Sequence, residues 1–253
     1  MPAHYDDRSF SYDRYWQGRQ YEHQSELLAI SRLLADSRFS VAADIGGGYG
    51  RLTAFLTPFS KQILLIEPSV KQRRMGQNYL KGLRGITISG GTIQKTGLPD
   101  ASLDLVLVVR VMHHLPDPAP ALSEIYRVLK PGGTLILEFA NSLNFKARLR
   151  SQLTGQPILP APLDRRSSAN IRRHTIPFVN HYPSTLLKLL SKTGFQIDRV
   201  LSVSNFRSPL LKRLLPQKFL LSLEKYLQPR LGKIYFGPSI FIKATKIDKY
   251  PNL

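Results

Sequence analysis

The chain has 253 residues, 42% hydrophobic and 21% charged, which suits one large α/β domain or two small ones with a sizeable core. It has no cysteine, so disulfides, thiolate zinc sites and cysteine nucleophiles are excluded, and no apolar run approaches the roughly 20 residues that span a bilayer. The formal net charge of +19 is lopsided: residues 1–140 carry 16 Lys+Arg against 13 Asp+Glu, and residues 141–253 carry 20 against 4. That excess points to an anionic partner: nucleic acid, an acidic membrane surface or a phosphorylated substrate. The first residues, "MPAHYDDRSF", lack a basic-then-apolar leader pattern, so a soluble cytoplasmic protein is the expectation.

Taken in chain order, "YEHQSELLAISRLLA" (21–35) spaces its leucines for a helix, and "FSVAADI" (39–45) reads as a buried strand. Next comes "GGGYG" (46–50), then a helix starting near Arg51 and ending before Pro58. "QILLIE" (62–67), "GITISG" (85–90), "LDLVLVVRV" (103–111) and "TLILEFA" (134–140) read as further strands. Between them lie helices over 69–83 and 118–129, the second stopped by Pro131-Gly132-Gly133. Strands alternating with helices predict βαβ units and a parallel sheet with both faces covered. Residues 141–180, rich in Arg, Ser, Pro and Asn, break this rhythm and read as a long excursion. Beyond it, 183–195 reads as a helix ended by Gly194, 196–203 as a strand, 209–227 as two helical pieces split at Pro216, and 239–246 as a last strand.

The glycines follow the first strand, where ligands sit in an open parallel sheet. A dinucleotide site would want G-x-G-x-x-G. This turn is G-x-G-x-G, with Asp44 two residues ahead of its first glycine. A carboxylate there suits a cationic ligand better than a pyrophosphate.

"DIGGGYGRL", "LLIEPS", "TGLPDASLDLVLVVRVMHHL" and "EIYRVLKPGGTLILEFA" occur in an order and spacing that resemble class I S-adenosylmethionine-dependent methyltransferases, in the ubiquinone/menaquinone-methyltransferase-like branch that acts on small molecules and lipids. The resemblance covers about residues 40–140 closely. It implies an α/β Rossmann-like fold with a seven-stranded sheet, order 3-2-1-4-5-7-6, the last strand antiparallel. It also implies S-adenosyl-L-methionine as cofactor. Asp44 and the backbone of Gly46, Gly47 and Gly48 would hold the methionine end, and Glu67, followed by Pro68, would accept both ribose hydroxyls. Thr92 and Ile93 fall in the adenine region, where Thr92 replaces the family's Asp; the backbone at Val109 and Arg110 would line the cofactor. In "YDRYWQGRQYEH" (12–23), Arg19 would pair with the methionine carboxylate and Tyr15 would cover the sulfonium.

One domain is expected: an N-terminal cap (1–38), a cofactor-binding core (39–140), a basic lid (141–182), a substrate-side half (183–246) and a tail (247–253). An oxygen acceptor needs a base, and the candidates are His113 and His114 after the fourth strand and His174 and His181 in or beside the lid. The expected reaction is methyl transfer to oxygen or carbon of a small-molecule or lipid-like acceptor. The arginine-rich lid and the helices at 209–227 also suit peripheral contact with an acidic membrane. An RNA methyltransferase and a non-catalytic cofactor-binding protein are the alternatives. No D/N-P-P-Y/F motif follows the fourth strand, which argues against methylation of adenine or glutamine amide nitrogen, and no metal-ligand cluster is evident.

Overall fold

In the computed structural model, Leu103–Val108 forms the central strand of a seven-stranded sheet, with Leu105, Val106, Leu107 and Val108 all fully buried. The structure describes Asp6, Trp16, residues 18–173 and residues 175–247. The strands are β1 (Phe39–Ile45), β2 (Ser60–Ile66), β3 (Ile86–Ser89), β4 (Leu103–Val108), β5 (Leu129–Ala140), β8 (Phe195–Val203) and β9 (Ser239–Lys246), in the order β3-β2-β1-β4-β5-β9-β8. β1 to β5 pair in parallel, and β9 runs antiparallel between β5 and β8. This is the strand order, with its antiparallel last strand, expected from the sequence.

The helices are α1 (Gln20–Leu34), α2 (Arg51–Phe55), α3 (Val70–Tyr79), α4 (Ala119–Val128), α5 (Phe145–Thr154), α6 (Ser168–Arg172), α7 (Pro183–Thr193), α8 (Pro209–Leu214) and α9 (Gln217–Gly232). Two apolar layers sandwich the sheet. On one face Leu122 and Ile125 of α4 and Leu186 and Leu190 of α7 pack against Val106, Val108 and Leu137. On the other, Ile30, Leu33 and Leu34 of α1 meet Leu105, Leu107 and Phe241. Each fully buried aliphatic side chain here contributes about 1.5–3 kcal/mol, so the unbroken apolar run Leu105–Val108 is what a two-faced core selects.

The structure departs from the sequence reading at several element ends: β4 stops at Val108, not 111, and the helix read over 69–83 stops at Tyr79. β5 begins at Leu129, not 134; its register on β4 shifts between Leu103 and Leu105, and Gly132, at φ +72°, lets the chain step out of the ladder and return. α9 runs on to Gly232, carrying Pro229 inside it. The excursion is not bare loop. It holds α5, capped by Asn144 accepting from the Ala147 N–H at 3.1 Å and ended by Gly155 at φ +66°. It also holds α6 and a two-residue ladder of β6 (Leu163–Asp164) with β7 (Val179–Asn180).

Candidate active site

The carboxyl ends of β1 and β2 place two carboxylates side by side. Asp44 ends up 1% exposed, its Oδ2 accepting from the Thr53 hydroxyl of α2 at 2.7 Å. Burial pushes its pKa up to about 6, against the pull of Thr53 and the Arg51 charge. Gly47 is what leaves room for it: a Cβ there would lie 2.4 Å from Asp44 Oδ2 and 2.6 Å from a Leu65 methyl. Glu67 follows β2 and is also buried; its Oε2 accepts from Gly48 N–H at 3.0 Å and its Oε1 from Ser69 N–H at 2.9 Å. Burial and the Asp44 charge raise its pKa, while the two backbone N–H groups and Arg73 lower it. Each Glu67 oxygen keeps acceptor capacity for a hydroxyl. Gly46 adopts φ +73°, and its N–H donates to Ile66 O at 2.7 Å, which locks the turn to β2.

Around this pair, Pro68 is exposed, and its carbonyl and that of Glu67 accept from Arg73 Nη1. Ile93 is buried. Thr92 is exposed and closes a turn, its Oγ1 accepting from Lys95 N–H at 3.1 Å. Val109 is buried beside the strand end. Asp6, from the N-terminal segment, lies over the start of α3, with Oδ1 accepting from Ser69 Oγ at 2.6 Å.

A second cluster was not legible in the sequence. Glu26 of α1, with its side chain 2% exposed, binds Arg51 Nη2 and Arg110 Nη2, each at 2.6 Å. Burial would raise its pKa, but the Arg110 and Arg51 charges outweigh that and hold it low. Trp16 lies against both guanidiniums, with its ring centroid 3.8 Å from Arg51 Cζ and 4.8 Å from Arg110 Cζ. Arg110 sits at φ +60°, strained for a residue with a Cβ. Its N–H donates at 2.9 Å to Glu138, a buried carboxylate of β5 that also accepts from Ser239 Oγ at 2.6 Å. Two signals existed: a charge on the buried face of α1, and a carboxylate inside the apolar run "LILEFA". Arg19 is half-buried at the start of α1, its N–H donating to Trp16 O at 3.0 Å; Tyr15 and His174 lie outside the described residues.

The short turn Met112–His114 follows β4 and carries two of the sequence-predicted base candidates. His114 Nδ1 is 2.9 Å from Pro177 O, and the buried His181 has Nε2 2.9 Å from Met112 O. Those two rings therefore fasten the end of the lid to the turn. The His113 ring lies tilted against Phe178 of the lid, centroids 4.9 Å apart, and against His114 at 4.0 Å. Burial, then the charges of His114, Arg110 and His181, hold its pKa well below the usual imidazole value.

A family model described as a methyltransferase domain matches residues 43–137, the stretch that carries Asp44, Glu67 and the 112–114 turn. An uncharacterized methyltransferase of Mycobacterium bovis is 28% identical over 165 residues, covering 61% of this chain and 64% of that protein. A ubiquinone/menaquinone biosynthesis C-methyltransferase, UbiE, of Rubrivivax gelatinosus is 29% identical over 133 residues, 52% of this chain and 48% of its own length. The chain thus spans about half to two-thirds of these relatives. Among solved structures, an S-adenosylmethionine-dependent methyltransferase of Thermotoga maritima superposes with a TM-score of 0.63 at 23% identity, covering 96% of this chain and 98% of that one. The fold is that of the class I enzymes, and the domain match implies S-adenosylmethionine as the cofactor.

Proposed function

We propose that this chain, whose residues 43–137 are a methyltransferase domain, transfers the methyl group of S-adenosylmethionine to an oxygen or carbon of a small-molecule or lipid-like acceptor. The observation that carries this reading is the pair of buried carboxylates at the ends of adjacent parallel strands, Asp44 and Glu67. Asp44 has lost its water shell and has the Thr53 hydroxyl as its side-chain donor, so a cationic ligand offsets its desolvation. Glu67, held by two backbone N–H groups, presents its remaining lone pairs to a ribose diol.

When bound, the cofactor supplies a methyl group on a positively charged sulfur. The chain's own contribution is alignment and exclusion of water. An oxygen acceptor's proton goes to a base, and His113, in the turn after β4 and against Phe178 of the lid, is the residue we assign to take it. Glu26 sets the positions of Arg51 and Arg110, and the cap residue Trp16 closes over both. Among the described residues no helix is long and apolar enough to cross a membrane. A cytoplasmic location goes with this reading.

The strongly basic segment after residue 140 favours RNA as a second acceptor class. Incubation with labelled methyl donor and separate lipid, quinone and RNA fractions decides between them. Label in a lipid or quinone fraction is the expected result. Label in RNA alone selects the second reading, and turnover with none of the fractions counts against catalysis.

A further inference from the structure

Residues 143–173 contain no buried residue, although they hold α5 and α6, both with capped N-termini. The exposed side chains include aliphatic residues and cations, and one aromatic, Phe145, which is stacked on Phe236. Leu153 is 79% exposed and Leu159 67%, and in α8 Leu210 and Leu214 are 63% and 65% exposed. Between and beside them stand exposed cations, Lys146, Arg150 and Arg173 in the lid and Arg213 in α8. The one acid of 143–173, Asp164, is occupied by Arg166 at 2.7 Å.

Topology sets both leucine groups at the same edge of the molecule. α5 follows the carboxyl end of β5, and α8 follows the carboxyl end of β8, which runs parallel to β5. That edge also holds Asp44, Glu67 and the 112–114 turn. Of the two helical pieces over 209–227, only α8 buries nothing; α9 packs on its own domain. It buries Leu220 and Glu224 toward α1 and β8, with Glu224 accepting from Tyr21 OH at 2.6 Å and Ser204 N–H at 2.8 Å.

We propose that the lid and α8 together dock on an anionic phospholipid surface, with the leucines entering the acyl boundary and the cations meeting headgroups, so that the acceptor side of the crevice opens onto the membrane. Aliphatic side chains exposed to this degree, set among cations, fit an interfacial partner. RNA platforms rely on aromatic stacking instead, and a second copy of so basic a face would repel the first. The inference draws on the methyl-transfer reading only for its purpose. Vesicle binding and cofactor binding are separate measurements, so either can fail alone.

The test is flotation of the full chain with vesicles of phosphatidylcholine, and of phosphatidylcholine with one-quarter phosphatidylglycerol, over a salt series. The wild type is compared with L153S/L159S, L210S/L214S and, as a control on the near-neutral half, L83S. Expected is binding to the anionic vesicles alone, weakened by salt, and about tenfold weaker for each leucine pair, with L83S unchanged. Three results would overturn the proposal. The first is absence of binding. The second is binding indifferent to the leucines, which is mere polycation adsorption, including the case where single-stranded RNA competes fully. The third is a protein that is dimeric without lipid and becomes monomeric on loss of the leucines.

Discussion

β4 runs through four consecutive residues with no solvent exposure, whereas the chain from 143 to 173 does not bury one. The two regions handle charge as differently as they handle apolar side chains. In the sheet half, Glu26, Asp44, Glu67 and Glu138 are all turned inward and engaged by hydrogen bonds. In the lid, most cations face outward, Arg148 and Arg166 excepted, and local caps hold the backbone. Substitutions in the first region should therefore act on stability and cofactor, and substitutions in the second should act on partners.

The largest expected effect is at Glu26. Its removal in E26A strands Arg51 and Arg110 against Trp16 without their shared carboxylate, a loss of about 3–5 kcal/mol in chemical denaturation. A loss below about 1 kcal/mol would mean that the cluster is only loosely coupled to the fold.

Asp44 comes next and has the opposite sign. Its folded-state pKa, about 6, lies above the ordinary value of 3.8, so the folded protein binds this proton more tightly than the unfolded chain does. Asp44 therefore lowers stability progressively as pH rises from about 4 to about 6, by up to about 3 kcal/mol once fully ionised. D44N should lose that component. The difference between wild type and variant, followed by denaturation across pH, should be near zero at pH 4 and favour the variant at pH 7. In the same window, wild-type affinity for S-adenosylmethionine should rise with pH as the carboxylate ionises, while D44N binds weakly throughout. A wild type no less stable than D44N at pH 7 would remove the desolvation argument.

The smallest effect is expected in the lid. L153S/L159S should change stability by no more than about 0.5 kcal/mol, since neither side chain is buried. A larger loss would show that the lid packs on something and would erase the contrast between the regions.

How much of this was readable in advance follows the same division. Strands buried on both faces announce themselves as unbroken apolar runs, and β9 falls on 239–246 as the alternation of "SIFIKATK" implied. α5 was missed because an exposed helix has no apolar stripe to mark it; its only signals were Asn144 and Gly155 at its ends. Asp44 and Glu67 were legible because each closes a strand beside a turn. The Glu26–Arg51–Arg110 cluster was not, because its members are 25 and 84 positions apart and only the tertiary fold brings them together. His114 and His181, candidate bases by position alone, each set a ring nitrogen on a backbone carbonyl, a use of imidazole that sequence does not distinguish from catalysis.

Calorimetric titration of S-adenosylmethionine into the wild type and into E67Q tests the central assignment most directly. Saturable binding to the wild type, weakened at least about tenfold in E67Q, is predicted from the loss of charge-assisted bonds to the ribose. Equal affinity for both proteins, or a wild type that takes up NAD in place of the sulfonium nucleoside, would contradict it.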